Sequence, residues 1–195
     1  MKDRAFKSYL SGIALAVLLA TPCASASVAR ALTLVNLIRA SQVVAVVTPV
    51  SEQVVGSRPA ELMRKVAVRV DECVTGECAT QLHVYLRGGQ RDGVVKVVPG
   101  EASLVVGKQM LLFLRRDGSR GPWQIAGLSQ GAFEVFEKGS VAKVRRLLGG
   151  VSLVNQCCDQ SSTSGAQLAC AAVPFEDRLD LFVARVRSLA VYKWR

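Results

Sequence analysis

Two stretches of the chain alternate apolar and polar residues with a period of two. From Lys65 to Val70, Val66, Val68 and Val70 fall on one side and Lys65, Ala67 and Arg69 on the other. From Gln81 to Arg87, Leu82, Val84 and Leu86 are set against His83, Tyr85 and Arg87. Successive side chains of a strand point to opposite faces, so both stretches predict half-buried antiparallel strands. The valine-rich run Val43 to Val55, interrupted by Pro49, predicts an edge or bent strand. Gln109 to Leu114 is apolar on both faces and predicts a central strand. Trp123 to Gly127 and Ala132 to Phe136 predict two more. Turns separate them at Asp117 to Gly121, Gln130-Gly131 and Lys138-Gly139, while residues 88–107 read as mostly turn and loop.

Helical spacing appears twice. Leu32 to Ala40 predicts a short leading helix. Between Pro174 and Tyr192, Leu179, Phe182, Val183, Val186, Leu189 and Ala190 recur at helical intervals. Glu176 and Asp177 at the start and Arg185 and Arg187 further on suit the helix dipole. The polar face carries mixed charge, so the apolar stripe is expected to dock on the β-domain rather than on a membrane surface. Strands at short intervals between glycine turns predict a mainly β fold, an antiparallel barrel or sandwich.

The first residues read as an export signal. Lys2, Arg4 and Lys7 precede the apolar run Ile13 to Ala20, and Ala24-Ser25-Ala26 supplies small residues for cleavage between Ala26 and Ser27. The run is short of the ~20 residues that span a bilayer, so a transmembrane anchor is not expected. A lipoprotein acylated at Cys23 is the alternative, with Pro22 a poor neighbour for it. The chain then divides into a signal over 1–26, a β-domain over 27–148, a Ser- and Cys-containing loop over 149–173, and a C-terminal helix over 174–195 packed on the β-domain. The expected location is the periplasm or the extracellular space.

Composition narrows the chemistry. The net charge is +10, and the signal accounts for only +2 of it, so the basic balance stays with the remainder. The basic residues are scattered without interleaved aromatics, which argues for a solvated surface and against nucleic acid. One histidine excludes every two-His metal site. His83 falls on the outward side of a strand, with no nucleophile elbow or Cys-His signature around Ser129 or any cysteine. Glu101, Glu134 and Asp71-Glu72 have no fixed separation that would make a carboxylate pair. No catalytic, metal-ligating or cofactor-binding residue is assigned. After export, Cys73 and Cys78 are expected to clamp the turn between the two alternating strands. Pairing Val70 with Leu82 puts Cys73 opposite Ala79, so a bulge or wide loop must absorb one residue. Cys170 is expected to pair with Cys157 or Cys158, leaving one thiol that could link two chains, stay buried, or join a vicinal bridge in a different arrangement.

Several segments resemble uncharacterised secreted bacterial proteins with a TIMP- or netrin-like barrel. Arg39 to Val47 (RASQVVAVV) is similar to their A-S-D-x-V-V-x-G opening, Val105 to Leu114 (VVGKQMLLFL) to their V-G-x-x-Y-L-V-F strand, and Gly127 to Phe133 (GLSQGAF) to their G-x-x-G-x-F segment. The resemblance covers about residues 33–136. It implies a small antiparallel OB-type barrel of about five to six strands, with a short N-terminal helix and the C-terminal amphipathic helix. Gln42 replaces the usual Asp, Val47 stands where Gly is common, and Ser27 is not the N-terminal cysteine of the family's protease inhibitors, so inhibition is not carried over. The functional expectation is an exported, non-enzymatic β-barrel that binds or scaffolds an unknown protein or envelope component. The alternatives are a hydrolase using His83 or a free thiol, and a charge-driven binder of anionic envelope lipid or polysaccharide.

Overall fold

The valine-rich run is the spine of the fold. In the computed structural model, which describes residues 28–118, 120–148, 152–154 and 176–191, it forms the long strand β2 (Val43–Val55). β2 pairs antiparallel with β3 (Met63–Thr75) on one side and, over Val43–Val47, with β7 (Met110–Arg115) on the other. β3 pairs with β4 (Gln81–Arg87), while β7 pairs with β9 (Ala132–Lys138) and with the short β8 (Gln124–Ile125). Beyond β9 come β10 (Val141–Arg146) and β12 (Glu176–Arg178), giving the order β12-β10-β9-β7-β2-β3-β4. β5 (Gly89–Arg91) and β6 (Val94–Lys96) form a separate hairpin, and β1 (Val28–Arg30) runs parallel to β11 (Ser152–Val154).

The expected OB-type barrel of five to six strands does not form. The sheet is an open, eight-stranded one whose ordered path ends at β12 and β4. β4 meets the approach to β8 through one isolated bridge, Val84 to Trp123, which is not a ladder. Past the Lys138-Gly139 turn, β10 pairs with β9 at six positions and β12 then adds to β10, so the sheet extends outward instead of closing. The reading of the chain as a β-barrel binding or scaffolding module falls with the barrel.

Alternation divides the core into two clusters. Val44, Val46, Leu111 and Phe113 turn to one face, where α1 (Leu34–Ala40) adds Leu37 and Ile38 and α2 (Leu179–Ala190) adds Phe182, Val183 and Val186. Val43, Ala45, Val47, Met110, Leu112 and Leu114 turn to the other, against Val66, Val68, Val84 and Leu86. β7 lies between two neighbours and is buried from Met110 to Leu114, as a strand apolar on both faces requires. α1 starts where Thr33 Oγ1 accepts from the Asn36 N–H at 3.2 Å, satisfying one of the first-turn donors.

Two local expectations are corrected and one is refined. The C-terminal helix starts at Leu179, not at Pro174, because Glu176–Arg178 pair with β10 and Glu176 binds Lys143 at 2.7 Å. Residues 88–107 contain the β5–β6 hairpin, turned at Asp92 and Gly93 with φ of +50° and +78°. Both central residues lie in the left-handed region that a two-residue Asp-Gly hairpin turn demands. The β3–β4 register is Val66 to Val84 and Val68 to Leu82, displaced by two residues from the expected pairing, so each residue keeps its face.

That register resolves the cysteine parity. β3 leaves β4 after Arg69 and continues along β2 to Thr75, so Cys78 lies in a loop wide enough to reach back to Cys73. The two form a disulfide within the chain, with Cα atoms 5.8 Å apart, so neither thiol is available to link two chains. Closing a loop this short restricts the unfolded chain by about 2 kcal/mol. The double variant Cys73→Ser, Cys78→Ser should therefore unfold about 2 kcal/mol more easily in urea than the oxidised protein, with little further change on adding reductant.

Glu134 ties three segments together. Its carboxylate accepts from Arg145 at 2.6 Å and Lys108 at 3.2 Å, with the side chain only 12% exposed. The hydrogen bond from Arg145 chiefly holds this carboxyl below the usual glutamate range, with Lys108 adding to it against the opposing effect of burial. A lowered folded-state value means stability that is present above the unfolded value and lost as pH falls through the folded one. Urea midpoints measured from about pH 6 to about pH 3 should fall more steeply for the native protein than for Glu134→Gln.

Candidate functional site

The outward row of β4 opens onto a cleft of about 310 Å³. Its walls are Tyr85 and Arg87 from β4, Arg115 from β7, Gln124 and Ile125 from β8, Glu101 from the preceding loop, and Gly127 and Leu128. Two backbone constraints assemble it. The β7–β8 ladder puts Arg115 directly opposite Gln124, and the Tyr85 N–H donates to the Trp123 carbonyl at 2.8 Å, drawing β4 alongside. Trp123 is itself covered by the Arg116 guanidinium, 4.6 Å from the ring centroid.

The polar groups divide into committed and uncommitted ones. Glu101, its side chain 8% exposed, accepts from both the Arg87 N–H at 3.1 Å and Arg87 Nε at 3.0 Å. The Tyr85 hydroxyl, the Arg115 guanidinium and the Gln124 amide have no hydrogen-bond or ion-pair partner among the described residues. Three residues with uncommitted polar ends therefore line one concave surface with the apolar Ile125 and Leu128.

The far wall is a strained turn. Gly127 and Leu128 have φ of +70° and +61°, and the left-handed region is unusual for leucine. Such a residue costs on the order of 1–3 kcal/mol and persists only where its surroundings over-determine it. Here the Ser129 N–H donates to the Gly100 carbonyl at 2.9 Å and the Ala126 N–H to Phe113 at 2.8 Å. Below the turn, buried Gln130 accepts from the Leu32 N–H at 2.7 Å and donates to the Arg30 carbonyl at 3.0 Å. Gly127 takes its left-handed φ without the Cβ penalty other residues would meet.

A second groove, of about 480 Å³, lies between Glu72, the Ser140–Ala142 turn and the start of α2. It is larger, but its charges are already paired. Arg187 binds Glu72 at 2.7 Å and Arg178 binds Asp180 at 2.8 Å. The Arg178 hydrogen bond holds the Asp180 carboxyl below its usual range. The smaller cleft has the free chemistry.

The residues weighed from sequence do not converge. His83 is exposed on β4, whereas Ser129 is buried, and no hydrogen bond joins them among the described residues. The acids are spread among separate partners: Glu101 with Arg87, Glu134 with Lys108 and Arg145, Glu72 with Arg187, and Asp71 with Arg69, Thr48 and Gln109. Among the described residues no cluster of three His, Cys, Asp or Glu could hold a metal, and no helix is long and apolar enough to cross a membrane. Cys157, Cys158 and Cys170, like Cys23 and the Ala26–Ser27 junction, lie outside the described residues. Sequence reasoning missed Arg115 and Gln124, since no local signal marks them as neighbours. Tyr85 was visible only as an outward strand position.

The chain matches no known family, no curated protein and no solved structure. The resemblance to TIMP- and netrin-like proteins is therefore withdrawn. Its motifs are turn-and-strand patterns that antiparallel sheets of many kinds share, and such patterns do not carry a fold or a function.

Proposed function

We propose that this is an exported, non-catalytic protein that recognises a carboxylate-bearing peptide segment of a partner protein in the β4–β8 cleft. The observation that carries this reading is that Arg115, Tyr85 and Gln124, whose polar ends are uncommitted among the described residues, line one cleft. A guanidinium offers parallel donors that match the two oxygens of a carboxylate, and hydroxyl and amide groups complete its hydrogen bonding. Ile125 and Leu128 give an apolar neighbour for the residue beside the acid. The outward row His83, Tyr85 and Arg87 continues the surface along β4, which favours an extended peptide over a compact small acid. Export is supported by the basic start, the apolar run and Ala24-Ser25-Ala26, and a disulfide suits an oxidising compartment.

The test uses the Trp194→Phe protein, in which Trp123 is the sole tryptophan, as a fluorescence reporter beside the cleft. Capped tetrapeptides carrying one Glu or Asp among apolar residues are titrated against their Gln or Asn twins, with acetate as a free carboxylate. Saturable binding of the acidic peptides alone is expected. Equal binding of the neutral twins, or tighter binding of acetate, contradicts the proposal. For export, the protein recovered from its producing cells should begin at Ser27; an intact amino terminus in the cytoplasm would defeat that part.

A further inference from the structure

The second edge of β2 is open. β3 accompanies β2 from Val44 to Val55, but β7 covers its other side only over Val43–Val47. Past Thr48 no strand among the described residues pairs with that side. The Gly107 N–H caps the Pro49 carbonyl at 2.8 Å and Arg91 Nη1 caps the Gly56 carbonyl at 3.2 Å, which leaves the stretch between them. Val50 to Gln53 are exposed, and the register skips Val50. Alternate residues of Ser51–Val55 turn both N–H and C=O away from β3, which is the template another strand needs.

Apolar side chains flank this edge at both ends. Among the described residues, six of the eight large exposed hydrophobics are Val50, Val94, Val95, Val97, Val105 and Val106. The β5–β6 hairpin carrying Val94 and Val95 sits at the far end, where a Cβ on Gly89 would lie 3.1 Å from Val54. The turn carrying Val105 and Val106 sits at the near end, fixed by the Gly107–Pro49 bond. Lone exposed valines need no explanation, but a set gathered round an unpaired strand edge marks an interaction surface. Two lysines give it a sign. Glu52, the acid within the open stretch, is answered by Arg64 at 3.8 Å, whereas Lys65, paired in register with Gln53, and Lys96, whose Nζ donates to the Ala60 carbonyl, have no carboxylate partner among the described residues.

We infer that the open edge of β2 accepts an extended, valine-type strand with acidic flanks from a partner protein, by strand addition. Main-chain hydrogen bonds supply the pairing, the flanking valines cover the added strand, and Lys65 and Lys96 favour an acidic partner over a second copy of this basic chain. This surface is separate from the β4–β8 cleft and does not depend on it.

The experiment is amide hydrogen exchange on the full oxidised chain, with and without a capped Glu-Val-Thr-Val-Thr-Val-Glu peptide. Slowing of two or three amides within Ser51–Val55 by tenfold or more is expected. A twin N-methylated at every second residue should give none, and a Lys-flanked twin should need at least tenfold higher concentration. Protection by the N-methylated twin, equal binding of the Lys-flanked one, or no protection in Ser51–Val55 would overturn the inference. So would protection of those amides that rises with protein concentration alone, which assigns the edge to a second copy. A peptide seated in the cleft instead changes Trp123 fluorescence in the Trp194→Phe protein without slowing exchange in Ser51–Val55, and so separates failure here from failure of the cleft reading.

Discussion

Replacing Phe133 by alanine should lower the unfolding free energy by about 3–5 kcal/mol, the largest stability effect expected in the chain. Phe133 is 1% exposed and lies between the sheet and the C-terminal helix. Its ring centroid is 5.8 Å from that of Phe113 on β7 and 5.1 Å from that of Phe182 on α2, both tilted. Such tilted pairs add to the burial of the ring itself. Arg146, 4% exposed, extends its guanidinium over the same ring at 5.6 Å and donates to the Leu32 carbonyl at 3.4 Å. Its Nε has no partner among the described residues, and burial pushes its pKa down to about 10. Deleting the phenyl ring removes two aromatic neighbours and the surface on which this buried cation rests. Urea unfolding should show a lower midpoint with an unchanged slope, and Phe133→Leu should lose only part of the difference. A loss below about 1 kcal/mol would mean that α2 does not depend on this contact.

The largest effect on binding is expected at Arg115. A hydrogen bond to a charged group contributes about 1.5–3 kcal/mol, so Arg115→Ala should weaken an acidic peptide by about 10- to 100-fold. Arg115→Lys keeps the charge but loses the planar pair of donors, and should recover only part of the affinity. Arg115 is exposed and has no partner among the described residues, so neither change should move stability by more than about 0.5 kcal/mol. That split between affinity and stability distinguishes a binding residue from a structural one.

What could be read beforehand follows from how local each signal is. The alternation in Lys65–Val70 and Gln81–Arg87 and the stripe through Phe182, Val183 and Val186 are properties of short segments, and each segment adopts the element its period demands. The Asp92-Gly93 turn was just as local a signal, passed over among the surrounding glycines. Glu176 and Asp177 read as a helix start because acids there suit the dipole, yet the strand pairing of Glu176–Arg178 depends on β10, some thirty residues earlier. Closure or opening of the sheet depends on that same distant pairing. Arg146 is buried although the basic residues as a set read as a solvated surface, because charge alone does not reveal burial. The cleft was least legible of all, since Tyr85, Arg115 and Gln124 come from three segments joined only by the β7–β8 register and the contact with Trp123.

The most direct measurement is a double-mutant cycle between Arg115→Ala and the peptide change Glu→Gln, with all four affinities read by Trp123 fluorescence. If the cleft holds the carboxylate, the two changes couple by at least about 1 kcal/mol, and the loss from Arg115→Ala nearly vanishes for the Gln peptide. Two additive losses, or an acidic peptide that the native protein does not bind, would contradict the account.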